Sequence, residues 1–131
     1  MNAPQKLMRA ILEKAKEYNE EISIPELTSE NIESVYDDLD ENDCGAIQDA
    51  REEIRCSGIE TGLPAEFSRH YECDKVAARM SDGSWIGWNY WHGGGKHGEP
   101  SAIDWIDSAV DLIATEKTVI SYDFKVTGKT K

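Results

Sequence analysis

The sequence predicts an α+β fold, with about three N-terminal helices packed on a four-stranded antiparallel sheet. Two observations carry that reading. Apolar residues recur at helical spacing in the first half of the chain and alternate at strand spacing in the second. Charge divides at the same place: residues 1–66 hold 17 acidic and 6 basic side chains, whereas residues 67–131 hold 9 and 8. A run of helices followed by a run of strands indicates segregated layers rather than alternating βα units. At 131 residues the chain suits a single domain, with an acidic helical half over 1–60 and a sheet half over 67–131.

The first helix is expected over about residues 4–20, where Leu7, Met8, Ile11, Leu12, Ala15 and Tyr18 share one side. Pro25 interrupts the chain, and Thr28 or Ser29 supplies an N-cap for a second helix. There Ile32, Val35, Tyr36 and Leu39 follow the i, i+3, i+4, i+7 rule. A third helix runs from Cys44 or Gly45 to about Cys56, with Ala46, Ile47, Ala50 and Ile54 inward. Residues 57–64, with two glycines and a proline, read as a linker. Strands are expected over 69–80 and 84–91, flanking Ser81-Asp82-Gly83, because Asp-Gly tolerates the positive φ of a hairpin turn. Residues 101–109 form a turn or short helical piece. A second hairpin, 110–114 and 118–126, closes around Glu116-Lys117.

The net charge of −12 argues against direct binding to nucleic acid or to an anionic membrane, because phosphate recognition rests on Lys and Arg. No apolar run approaches the ~20 residues of a membrane span. Cys44, Cys56 and Cys73 form neither a CxxC pair nor an even set, so a disulfide framework or zinc knuckle is not expected, and a reducing cytoplasm suits them. No metal or cofactor is expected. The Asp38–Gly45 stretch resembles a calcium loop only in its first donors, since Asp43 stands where the sharp turn needs Gly. His70, His92 and His97 with Cys73 lack the spacing of a zinc site, and no catalytic residue is assigned.

Two features remain as candidate sites. Between Lys16 and Arg51 the chain carries twelve carboxylates and no basic residue. On the second helix Glu30, Glu33, Asp37, Asp38, Asp40 and Glu41, with Asp43 beyond, lie away from the apolar stripe. A helix presenting only carboxylates resembles the edge of a nucleic-acid strand and suits a partner with a basic surface. The second feature is residues 83–105, which hold all four tryptophans and the loop Gly93, Gly94, Gly95, Lys96 and His97. Consecutive glycines can turn backbone N–H groups toward an anion, but the loop lacks the GxxxxGK[ST] order of a P-loop. Trp88 and Trp105 are expected in the core.

The block GWNYWHGGGKHGEP, followed by IDW, resembles a segment of small accessory proteins encoded by tailed phages and prophages. The likeness covers about residues 69–107 and brings no catalytic residues with it. It implies a gene product acting in the cytoplasm of a bacterial host. Combined with the acidic helix, the expectation is a non-enzymatic, DNA-mimicking protein of the anti-CRISPR or anti-restriction type that binds and inhibits a nucleic-acid-binding host protein. The competing expectations are a small-ligand or nucleotide module built on the glycine loop and tryptophans, and a structural or regulatory phage protein. The sequence does not determine the oligomeric state.

Overall fold

A computed structural model describes residues 1–42, 44–94 and 99–128 of the chain. The helices are α1 (Ala3–Tyr18), α2 (Ile32–Asn42) and α3 (Cys44–Arg55). The strands are β1 (Ile59–Glu60), β2 (Glu72–Arg79), β3 (Trp85–His92) and β4 (Val110–Leu112). They form one antiparallel sheet in the order β1-β2-β3-β4, so the α+β fold with N-terminal helices holds.

Each helix begins where the local chemistry asks it to. At the start of α1 the Asn2 side chain accepts from the Gln5 amide at 2.9 Å, and the Gln5 side chain accepts from the Asn2 amide at 3.0 Å. This reciprocal box satisfies donors that a helix start otherwise leaves bare. Thr28 does the same ahead of α2, its hydroxyl accepting from the Asn31 amide at 3.2 Å. Leu7, Ile11, Leu12 and Ala15 of α1, Ile32 and Tyr36 of α2, and Ile47 and Ala50 of α3 are buried in one core. Tyr18 departs from the expectation: it is exposed at the last turn of α1, where its hydroxyl donates to Glu53.

The long β2–β3 hairpin is the frame of the sheet, with Val76 opposite Trp88 and Ala78 opposite Ile86. Its turn uses Gly83 at φ +90°, which a side chain would resist. Val76, Met80, Ile86 and Trp88 face the helices. Trp105 sits between two 3-10 turns, Pro100–Ala102 and Ile106–Ser108, and its ring lies 5.7 Å from that of Trp88. Trp88 and Trp105 are both core residues.

Two sheet assignments need correction. Ile59–Glu60 lies inside the expected linker yet pairs with Val76 and Ala77 as β1. Gly58 permits this: a Cβ there would stand 2.6 Å from Val76 and 3.1 Å from Trp88, so only a bare backbone passes so close. The expected strand 118–126 does not pair, and the hairpin around Glu116-Lys117 does not form. Register explains it. A two-residue turn there would set Ser121 opposite Leu112 and Tyr122 opposite Asp111, placing the apolar set of 118–126 on the face opposite to Val110 and Leu112, the apolar side chains of β4. The turn also lacks Gly, Asn or Asp, the residues that adopt positive φ at low cost.

Candidate functional site: an acidic helix face

The outer face of α2 follows from its helical phase. At about 100° per residue, Glu33, Asp37 and Glu41 fall within a sector of roughly 80°, with Asp40 and Asp38 on opposite flanks. Glu30 stands in the turn just before α2 rather than within it. Glu30, Glu33, Asp37, Asp38 and Glu41 are exposed, while Ile32 and Tyr36 anchor the opposite side in the core. No basic residue occurs within α2.

Asp40 behaves differently from its neighbours. Arg51, on α3, donates to Asp40 Oδ1 at 2.8 Å and to the Tyr36 hydroxyl at 2.8 Å. The same guanidinium carbon lies 5.6 Å from the Tyr36 ring centroid. Burial pushes the Tyr36 hydroxyl above its ordinary range, and the hydrogen bond from Arg51 opposes that shift. Asp40 is therefore a strut between α2 and α3 as well as a member of the acidic row. Sequence spacing within one helix misses this, because the partner lies eleven residues away on the next helix. Arg51 is the first basic residue after the acidic interval, and that was the available signal.

The other basic side chains of the first half are likewise committed within the molecule. Arg9 pairs with Asp82 at 3.1 Å, and Lys6 lies 3.8 Å from Asp82 and 3.7 Å from Asp111. Lys14 pairs with Glu17 at 2.9 Å, Lys16 donates to the carbonyls of Glu20 and Ile22, and Arg55 pairs with Glu52 at 2.8 Å. Among the described residues no cation forms an ion pair with Glu30, Glu33, Asp37, Asp38 or Glu41. Glu33 accepts a long hydrogen bond from the Gln5 side-chain Nε2 at 3.5 Å. Asp43 lies outside the described residues.

The glycine loop is described only at its start. Gly93 and Gly94 have φ of +77° and +89°, and a Cβ on Gly94 would strike the Tyr71 ring at 2.4 Å. Gly95, Lys96 and His97 lie outside the described residues. Just before the loop, His92 Nε2 lies 2.8 Å from Asp74 and Nδ1 lies 3.4 Å from Glu72. Trp88 and Trp105 are packed together and buried. Among the described residues no group of three His, Cys, Asp or Glu side chains is placed to hold a metal ion. Nor is any described helix long and apolar enough to cross a membrane.

Comparison with protein families, with curated proteins and with solved structures finds no match to this chain.

Proposed function

We propose that the chain is a non-enzymatic phage protein that binds and inhibits a host nucleic-acid-binding defence complex, of the anti-CRISPR or anti-restriction type, acting in the bacterial cytoplasm. The observation that supports this reading is the uncompensated row on α2. Glu33, Asp37, Asp38 and Glu41 have no ion-pair partner among the described residues, while Lys6, Arg9, Lys14, Lys16, Arg51 and Arg55 are engaged elsewhere. Like charges on adjacent turns repel, so the free protein carries a small cost that a basic surface would remove. A groove shaped to take a phosphate backbone offers such a surface, and attraction between the two would steer encounter and weaken with salt. The phage setting comes from the likeness of residues 69–107 to phage and prophage accessory proteins.

The test is competition. A purified CRISPR effector or restriction enzyme is titrated with its DNA and with this protein, at low and high salt. The wild-type chain is expected to displace DNA at low salt. The variant Asp37→Lys, Asp38→Lys, Glu41→Lys is expected to fold normally and to compete at least tenfold more weakly, about 1.4 kcal/mol. Asp40 is left in place because Arg51 depends on it. Equal competition by both chains, or competition indifferent to salt, refutes the reading.

A further inference from the structure

The last stretch of the described chain has the sequence of a strand and the surroundings of none. Ile120, Tyr122, Phe124 and Val126 alternate with Ser121, Asp123 and Lys125, the pattern of a strand with one apolar face. Yet Ile113, Phe124 and Val126 are 96%, 88% and 90% exposed, and Ile120 and Tyr122 are little less so. The rings of Tyr122 and Phe124 stand beside each other, with centroids 6.1 Å apart. A contiguous apolar row of this length on the surface of a single chain marks a contact surface.

A complementary surface exists on the same molecule. Among the described residues β4 pairs with β3 along one edge only, leaving its other edge open. An open edge is a template for another strand. On the sheet face away from the helices, Ile59, Leu63, Ala77, Trp85 and Leu112 line a shallow, mainly apolar groove of about 280 Å³ that ends at Ile113.

We infer that residues 118–126 of one copy add as a strand to the open edge of β4 in a second copy, and reciprocally, to make a two-fold dimer. Turn chemistry favours a second copy over the chain's own tail. A two-residue turn at Glu116-Lys117 would bring Tyr122 to the Asp111 side of the sheet, and the three-residue loop over 116–118 that would restore the register has no Gly for its left-handed position. An incoming antiparallel strand from another chain is free of that turn. It can set Tyr122 beside Leu112 and Phe124 beside Val110, which lie on the outer face because they pair with Trp85 and Gly87. Asp123 then falls opposite Asp111, whose charge Lys6 already shares at 3.7 Å. Charge supports the same occupant. Residues 117–131 carry Lys117, Lys125, Lys129 and Lys131 against Asp123 alone, a basic tail on a chain of net −12. Reciprocal exchange brings each basic tail to an acidic body, and it closes by symmetry rather than growing into a filament.

The test is the mass of the full chain in solution by light scattering, with hydrogen exchange over residues 118–126. The expected result at tens of micromolar is twice the 14.7 kDa chain mass, with protected tail amides. The variant Tyr122→Asp, Phe124→Asp is expected to be monomeric with an unchanged circular dichroism spectrum over the helices, since neither ring touches the core. A chain ending at Thr115 is expected to give the same monomer. A monomeric wild type with protected tail amides means that the tail closes on its own sheet, and overturns the proposal. A monomeric wild type with unprotected amides assigns the tail to another partner and overturns it equally. A dimer that survives in the Tyr122, Phe124 variant does so too.

Discussion

The indole Nε1 of Trp88 donates to the Arg55 carbonyl at 3.2 Å, tying the buried centre of β3 to the last turn of α3. The bond is returned a short way along, where the Arg55 guanidinium donates to the Trp91 carbonyl and stands 4.8 Å from the Tyr90 ring centroid. One residue at a helix end thus holds three aromatic positions of one strand, Trp88, Tyr90 and Trp91. Trp88→Ala is expected to cost about 3–5 kcal/mol, the usual penalty for truncating a buried large aromatic. Trp88→Phe keeps most of the apolar volume but removes the donor to a buried carbonyl, an expected loss of about 1–3 kcal/mol. Urea unfolding of both variants separates packing from the hydrogen bond.

The same chemical change has opposite signs at two glycines. Gly58→Ala places a methyl 2.6 Å from Val76 and 3.1 Å from Trp88, and overpacking of this kind costs about 1–3 kcal/mol. Gly45, in α3, has open space where its Cβ would be. Gly45→Ala is expected to stabilise by up to about 0.5 kcal/mol, less than in a helix interior because Gly45 lies in the first turn of α3. Thermal melting of the two variants checks the signs.

Asp82 makes stability depend on acid. Hydrogen bonds from the Ser84 hydroxyl and amide, and from Arg9, hold its carboxyl well below the usual carboxylate range. A carboxylate with a lowered folded-state pKa contributes fully above its unfolded value of about 4 and loses that contribution as pH falls through the folded value. Denaturation midpoints followed from pH 5 downward should therefore fall less steeply in Asp82→Asn than in the wild type. Equal slopes would place the acid sensitivity elsewhere.

Asp40 and Asp37, three residues apart on α2, should respond differently to the same change. Asp40→Ala leaves Arg51 without its carboxylate and is expected to destabilise by up to about 1 kcal/mol, the range for a partly exposed pair. Asp37→Ala relieves repulsion and is expected to be neutral or slightly stabilising. Urea midpoints measured at low salt resolve the difference.

Much of the fold was legible because its signals are local. The apolar repeat from Leu7 to Ala15, the cap at Thr28 and the Asp82-Gly83 turn each act within a few residues. What escaped depends on partners distant in sequence. Ile59–Glu60 is a strand only because Gly58 lets it approach Val76, eighteen residues on. Residues 118–126 alternate as a strand should, yet alternation says nothing about which edge is available or on which face the apolar set will land. The acidic row was visible as composition and phase. The separate place of Asp40 was not, because Arg51 reaches it from another helix.

The clamp between α1 and the tip of the β2–β3 hairpin has a consequence for how the chain is made. Ser84 follows Lys6 by 78 residues, and Ser81 follows Glu13 by 68. On the ribosome α1 emerges before the other elements of this fold, but a lone helix of this length is marginal in water. Its polar partners, and Ile86 and Trp88 beneath it, are synthesised only after both other helices. Contacts so far apart in sequence are slow to form because the intervening loop must first close. The helix made before its partners is therefore among the last elements to be locked in place, and a chain arrested before the hairpin has no finished core to fold around.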